Sequence, residues 1–145
     1  MEGRILAVDF GTKRLGVAVS DALGLTAQGL PTLDRTNLLR DLAALRELAK
    51  EYGVREIIVG NPLSADGSPN EMSRRAAVFA RKLGEQAGLP VTLWDERLSS
   101  AEANRVLRGS GASLGKRRRA VDRLAAVLIL QNYLDWRGAS HSPPF

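Results

Sequence analysis

An aspartate interrupts an apolar segment near the start of the chain. Asp9 stands within RILAVDFGTKRLGVAVSD, residues 4–21, with apolar residues on both sides. An ionised carboxylate in such a segment loses hydration, which is costly unless a metal ion, a base or hydrogen bonds compensate. Asp9 is therefore a candidate functional residue. The alternative is structural, since an aspartate beside glycine and threonine often accepts backbone hydrogen bonds in a tight turn.

Other acidic residues occur where an α/β fold would bring them towards Asp9. Asp95 and Glu96 end the apolar segment PVTLWDE, and Asp122 lies early in the last predicted helix. Three converging carboxylates, without a usable histidine or cysteine, favour the hard cations Mg²⁺ or Mn²⁺. Two such ions about 3.5–4 Å apart can activate water on one side of a phosphodiester and stabilise the leaving oxygen on the other. The pattern predicts a two-ion site for phosphodiester hydrolysis.

Each of these later acids also has a structural interpretation. Neighbouring residues of a strand point to opposite faces, so only one of Asp95 and Glu96 can reach Asp9 from a regular strand, and the sequence does not say which. Glu96 could pair with a neighbouring arginine, and Asp122 could pair with Arg118, which precedes it by one helical turn. The joint placement of the acids at one edge of a sheet favours the functional interpretation.

Positive charge is concentrated between residues 97 and 123. This segment contains eight basic and two acidic residues, a surplus of six in a chain whose formal net charge is +5. It contains no aromatic residue, so it fits contact with the phosphates of a duplex or folded nucleic acid better than stacking on a single strand. The alternative is a solvated helix face.

Alternating elements would position these residues. The hydrophobic patterns predict strands at 4–10, 15–20, 26–33, 55–60 and 90–96, and helices at 38–52, 72–87 and 116–136. A further helix is predicted to begin at Ser99, whose spacing to Glu102 is that of a capping box. The order favours an α/β fold, a five-stranded mixed sheet whose first three strands are antiparallel, with helices on both faces. Sites in such sheets form at the carboxyl ends of parallel strands, where Asn61 would border Asp9.

Length and composition limit the class of protein. At 145 residues we expect a single domain, residues 1–136, followed by a flexible C-terminal tail, residues 137–145. The chain has no cysteine, which excludes disulfides and thiolate metal sites. We recognise no signal peptide and no apolar run of membrane-spanning length, so we expect a cytoplasmic protein without a membrane partner.

Four segments together resemble a known family. VDFGTKRLGVAVSD, IIVGNPLSADGS, LWDERLSSAEA and KRRRAVDRLAAVLILQNYL are similar to the YqgF-type family of pre-16S ribosomal RNA nucleases or Holliday junction resolvases, which has an RNase H-like fold. The resemblance implies a catalytic, metal-binding triad of Asp9, Glu96 and Asp122, and leaves Asp95 as a supporting or structural acid. The supporting or nucleic-acid-binding positions that it implies are Lys13, Arg14, Asn61, Arg97, Lys116, Arg117, Arg118 and Arg119.

Residues and resemblance together predict a Mg²⁺- or Mn²⁺-dependent endonuclease that cuts structured nucleic acid by water attack. The family implies processing of the 5′ end of pre-16S rRNA in ribosome biogenesis or, alternatively, resolution of Holliday junctions in recombination and repair. The expected partner is structured RNA or branched DNA, which these residues do not distinguish. Since resolving a junction needs two coordinated cuts, that alternative would favour a homodimer.

Two other functions would use the same features. A non-catalytic nucleic-acid-binding module needs the basic segment but not the acids. DFGT also resembles the phosphate loop of actin-like and sugar-kinase ATPases. Those proteins close two RNase H-like lobes over the nucleotide, whereas this length fits one lobe.

Overall fold

The computed structural model describes residues 3–99 and 115–141, with side chains from 118 to 138 in the second range. Five strands form one mixed sheet in the order β3-β2-β1-β4-β5. β1, β2 and β3 are antiparallel neighbours, whereas β4 runs parallel to β1 and β5 runs parallel to β4. The predicted mixed sheet is therefore confirmed. The strands are β1 Arg4–Phe10, β2 Arg14–Ser20, β3 Ala27–Asp34, β4 Val54–Asn61 and β5 Val91–Asp95.

Three α-helices lie within the described residues: α1 Leu38–Glu51, α2 Glu71–Ala87 and α3 Gly115–His141. The Asn37 side chain accepts a hydrogen bond from the first turn of α1, and Asn70 forms a capping box with Ser73 at the start of α2. α2 ends at Gly88, whose φ of 67° is a conformation that glycine adopts without strain. No helix among the described residues is both long and apolar enough to span a bilayer.

Two predicted boundaries were wrong. Strand β5 ends at Asp95, and Glu96 begins a short 3₁₀ helix, Glu96–Leu98, instead of ending the strand. Helix α3 continues to residue 141, so five of the nine residues predicted as a flexible tail are helical. The other four lie outside the described residues, as does the helix predicted from Ser99, apart from Ser99 itself.

The sheet separates two apolar cores. Val8 and Phe10 lie in the core that includes α1 and α2, whereas Ile5 and Ala7 lie in the core with α3. Because side chains alternate between the faces of a strand, Asp9 shares the α3 face with Ile5 and Ala7. The fold thus directs this acid towards the helix that carries the predicted third acid.

Candidate active site

Asp9 lies between two glycines of adjacent strands. It is the penultimate residue of β1, it is 4% exposed, and its register partner on β2 is Gly16. On the other side, Val8 pairs with Val59 of β4, so the next step of the parallel register places Gly60 beside Asp9. A row of Gly16, Asp9 and Gly60 therefore crosses the sheet near the carboxyl ends of β1 and β4.

The two glycines make room for the other acids. A Cβ atom at Gly16 would overlap the backbone carbonyl oxygen of Asp122 and would lie 3.3 Å from Asp9 Cβ. A Cβ atom at Gly60 would lie 2.5 Å from Glu96 Oε1 and 2.7 Å from Ile129 Cδ1. Asp122 therefore adjoins one end of the row and Glu96 the other, so the fold brings the three predicted acids together.

All three acids are buried. Glu96 is 2% exposed and Asp122 is 4% exposed, similar to Asp9. Buried carboxylates are costly in free energy unless charge or hydrogen bonds compensate them. For Asp122 a compensating cation is Arg14 of β2, whose Nε donates to Asp122 Oδ2 at 2.8 Å. This partner is tertiary, unlike the intrahelical Arg118 suggested by the sequence.

The acids are neighbours without forming a closed ligand set. Within residues 3–99 and 115–141, no group of three or more His, Cys, Asp or Glu residues is arranged so that it could hold a metal ion. One oxygen of Asp122 is instead engaged by the guanidinium of Arg14. The arrangement is that of a carboxylate cluster with part of its negative charge neutralised by arginine.

A cavity of about 450 Å³ opens beside the acids. Asp9 and Asp122 line this cavity together with three basic residues, so an anionic backbone could approach the acids there. The turn between β1 and β2 supplies Lys13 and Arg14, and α3 supplies Arg118. The lining residues are Asp9, Phe10, Gly11, Thr12, Lys13, Arg14, Pro62, Met72, Arg118 and Asp122. Three predicted nucleic-acid-binding residues, Lys13, Arg14 and Arg118, are therefore on this cavity.

Asn61, another predicted residue, ends β4 beside β5. Its register partner is Asp95, and its side chain is half-buried. Asn61 Oδ1 is buried and accepts no hydrogen bond from any residue that the structure describes. A buried amide oxygen of this kind costs free energy unless a ligand or water satisfies it. Asn61 is therefore available as an oxygen ligand or hydrogen-bond acceptor at this edge.

Asp95 is held by Arg97 and not by the acidic cluster. The hydrogen bonds that the Arg97 side chain donates lower the pKa of Asp95, and the backbone N–H of Arg97 contributes to the same shift. Arg97 also donates to the carbonyl of Ala65 at 3.2 Å. It therefore connects the end of β5 to the loop after β4. Glu96 lies outside β5, so the alternation of side chains along a strand does not determine which of Asp95 and Glu96 is buried.

The basic segment divides into residues with different surroundings. Arg118 lines the cavity, whereas Nη2 of Arg119 donates to both carboxylate oxygens of Asp34 at the end of β3, at 2.7 and 2.8 Å. The side-chain contacts predicted for Lys116 and Arg117 lie outside the described part of the structure. The described arginines are thus not equivalent.

The sequence interpretation missed the two glycines that admit the acids. An isolated glycine inside a strand pattern marks a close approach of another group, so Gly16 and Gly60 carried a usable signal. Arg35 was also missed. It follows β3 and donates from Nη1 to the carbonyl of Gly11 in the β1–β2 turn at 3.1 Å, and its own backbone N–H bonds to Lys13 O at 2.9 Å.

The chain is similar to known proteins over nearly its whole length. Residues 3–136 match the family model described as RuvX: Holliday junction resolvase. A protein of Koribacter versatilis is 54% identical over 144 residues, which cover 99% of this chain and 94% of that protein. A protein of Moorella thermoacetica is 50% identical over 135 residues, 93% of this chain and 96% of that protein. Both are named "Putative pre-16S rRNA nuclease".

A solved structure shares the fold. Thermus thermophilus RuvC, in complex with a Holliday junction substrate, has a TM-score of 0.58 and 16% sequence identity, covering 93% of this chain and 95% of that chain. A second T. thermophilus RuvC structure gives a TM-score of 0.56 at 17% identity, over 94% of this chain and 96% of that chain. The predicted RNase H-like fold class is confirmed.

Proposed function

This chain belongs to the RuvX family, and on that premise we propose that it is a metal-dependent endonuclease with Asp9, Glu96 and Asp122 as catalytic residues. The observation that carries the proposal is the placement of three buried acids around one row of the sheet, beside a cavity with basic walls. Acids with purely structural roles would be expected to lie apart in the fold, each beside its own basic partner. These converge on a surface that a polyanion can reach.

The donor set fits Mg²⁺ or Mn²⁺. Carboxylates, together with the amide oxygen of Asn61, are the hard oxygen ligands that these cations prefer. We assign the metal-binding role to Asp9, Glu96 and Asp122, with two ions expected. When bound, such ions activate water and stabilise charge on the leaving oxygen. Asp122 would hold such an ion in competition with Arg14, which contacts the same carboxylate, so metal binding would be expected to weaken this ion pair.

The remaining side chains bind and orient the substrate. Lys13 and Arg118 line the cavity and are assigned to hold phosphates on either side of the bond that is cut. Arg14, once released from Asp122, would add a third cation there. Arg97 is assigned a positioning role, because its contacts with Asp95 and Ala65 fix the loops bordering Asn61 and Glu96.

The proposed substrate is the 5′ region of pre-16S rRNA, in keeping with the names of relatives at 54% and 50% identity. The family description and the RuvC fold favour a second candidate, resolution of Holliday junctions. We propose a cytoplasmic location for the first reaction. The second would require a homodimer, because two strands are cut.

A side-by-side cleavage assay tests the function. Wild type and Asp9→Asn are incubated with a precursor 16S rRNA fragment and with a synthetic four-way DNA junction, in Mg²⁺, Mn²⁺ or Ca²⁺. We expect wild type to cut the RNA in Mg²⁺ or Mn²⁺, and Asp9→Asn to bind it with similar affinity while cutting at least about a hundredfold more slowly. Calcium should support binding but little turnover, since its looser coordination suits the reaction less well.

Each other result has a defined meaning. If the protein cuts the four-way junction in preference to the RNA and forms a dimer in analytical ultracentrifugation, the result would favour Holliday junction resolution over pre-16S rRNA processing. Binding without cleavage of either substrate would indicate a non-catalytic module. Equal turnover in calcium would contradict the two-ion assignment.

A further inference from the structure

A second depression lies on the other face of the sheet, along the first three turns of α2 and beside the start of α1. We call it the α1–α2 groove, and its volume is about 400 Å³. Clefts of this size with mostly apolar walls and a few charged groups are typical of ligand sites. Its floor contains Phe10 and Phe79, whose ring centroids are 5.0 Å apart, and Val78 stands beside them, 45% exposed.

Positive charge surrounds this apolar floor. Arg74, Arg75 and Lys82 line the groove from α2, and Arg35 lines it from the segment after β3. Among the described residues that line the groove, Glu71 is the single acid. An apolar floor with a cationic border complements a ligand that has an apolar face and attached anions.

The groove adjoins the proposed active site. Phe10 follows Asp9 at the end of β1, and its side chain lines both the groove and the cavity beside the acids. A chain of nucleotides that enters the cavity therefore needs to extend past one side chain to reach the groove.

Arg35 contacts both the rings beneath the groove and the turn beside the cavity. Its guanidinium lies over the rings of Phe10 and Phe79, at 4.9 and 5.5 Å from their centroids. The same guanidinium donates to buried Asp41 at 3.0 Å and to Gly11 O at 3.1 Å, in the turn that lines the cavity. These contacts fix the floor of the groove relative to the turn, so a ligand in the groove would have a defined position relative to the acids.

From this geometry we infer that the α1–α2 groove binds one unpaired nucleotide of the substrate strand, adjacent to the phosphodiester that is cut. The base would contact Val78 and the guanidinium of Arg35, which lies over the two buried rings. Arg74, Arg75 and Lys82 would contact flanking phosphates. A paired nucleotide cannot supply such a face, since its base is stacked within the duplex. The inference rests on the proposed function and specifies the substrate: structured nucleic acid with an unpaired segment at the cleavage site.

Binding measurements test the groove separately from catalysis. The probes are a blunt RNA duplex and the same duplex with short unpaired extensions at the 5′ and 3′ ends of one strand, labelled with fluorescein. Affinities are measured by anisotropy in Ca²⁺ across a range of salt concentrations. The variants are Val78→Glu, which places a carboxylate in the groove, and Lys82→Gln, which removes one cation. Arg81→Gln is the matched control, because Arg81 is the adjacent α2 cation, exposed and paired with Glu85.

We expect wild type to bind the extended RNA about tenfold more tightly than the blunt duplex, the size of one base contact with an apolar surface. Val78→Glu should abolish this preference, because a carboxylate in the groove disfavours both the base and its flanking phosphates, and should leave affinity for the blunt duplex within about twofold. Lys82→Gln should reduce the salt slope for the extended RNA by about 0.7, the contribution of one phosphate contact on a single strand. Arg81→Gln should change neither quantity.

Wild type without a preference for the extended RNA would overturn the inference, as would a Val78→Glu protein that keeps the preference. If Val78→Glu does not fold, Lys82→Gln provides the test, because an unchanged salt slope for the extended RNA in Lys82→Gln also contradicts the assignment. Failure of the proposed function is visible separately. If wild type prefers the extended RNA but cleaves nothing in Mg²⁺, the groove assignment stands and the nuclease proposal is contradicted. If wild type cleaves but shows no preference for the extended RNA, the nuclease proposal stands and the groove assignment is contradicted.

Discussion

Gly60 lies against the carboxylate of Glu96: a Cβ atom at residue 60 would be 2.5 Å from Glu96 Oε1. Real Cβ contacts are not this close, so a side chain at Gly60 must displace the acid, Ile129 of α3 or both. The absence of a side chain at residue 60 of β4 is therefore required for Glu96 to be buried beside Asp9.

We predict that Gly60→Ala lowers cleavage by at least about tenfold and destabilises the protein by about 1–3 kcal/mol, the usual cost of overpacking. The checks are initial cleavage rates and urea denaturation. Gly84→Ala is the control, since its Cβ would meet no atom closer than 3.4 Å. In the interior of α2 this change should stabilise the fold by up to about 1 kcal/mol and leave activity unchanged. Full activity in Gly60→Ala would contradict the assignment of Glu96.

The ion pair between Arg14 and Asp122 leads to a prediction about metal binding. Removing one partner of a largely buried pair weakens the compensation of the other charge and costs up to about 3–5 kcal/mol. Arg14→Gln should therefore lower the melting temperature in the absence of metal. Added Mg²⁺ should raise the melting temperature of this variant by more than it raises that of wild type. Differential scanning calorimetry with and without Mg²⁺ provides the measurement. An equal Mg²⁺-induced shift in the two proteins would show that Arg14 and the ion do not compete.

The different surroundings of Arg118 and Arg119 predict different contributions to nucleic-acid binding. Arg118→Gln should reduce the salt slope for duplex binding by about 0.9, the value for one phosphate contact. Arg119→Gln should reduce the slope less, because Asp34 already neutralises Arg119. Asp34→Asn provides a check in the opposite direction and should strengthen binding. Equal slopes for the two arginine variants would contradict this distinction.

The pair of Asp95 and Arg97 predicts a dependence of stability on pH. Hydrogen bonds from the Arg97 side chain lower the pKa of Asp95 below its ordinary value of 3.8. A carboxyl group with a lowered pKa in the folded state stabilises the fold above its ordinary pKa, and this stabilisation is lost as the pH falls through the lowered value.

Asp95→Asn should therefore reduce the free energy of unfolding at about pH 6, and the difference from wild type should shrink as the pH falls below 3.8. Both side chains are partly exposed, so we expect a difference of about 1 kcal/mol or less at about pH 6. Urea denaturation as a function of pH measures it. A difference that persists unchanged at the lowest pH would assign the loss to packing instead of charge.

Much of the fold followed from local patterns. Alternation of apolar residues predicted β1, β2 and β3, and helical spacing predicted α1 and α2 with the glycines that follow them. The end of β5 did not follow, because PVTLWDE has no residue that forbids a longer strand. The strand ends where the Asp95 side chain accepts the backbone N–H of Arg97 and starts the 3₁₀ helix.

The sequence by itself determined which residues are acidic, near which ends of the strands they lie and where positive charge is concentrated, because the succession of elements along the chain and the alternation of apolar residues are local properties. Only the tertiary structure decided that Glu96 is buried and Asp95 is not, that Arg14 compensates Asp122, and that Arg119 is neutralised by Asp34. Tertiary packing also placed the cations of α2 and Arg35 around the α1–α2 groove. The sequence did not indicate this cluster, because basic and acidic residues are nearly equal in number outside residues 97–123. These outcomes depend on the distance between groups far apart in sequence, and Coulomb and steric energies change steeply with that distance.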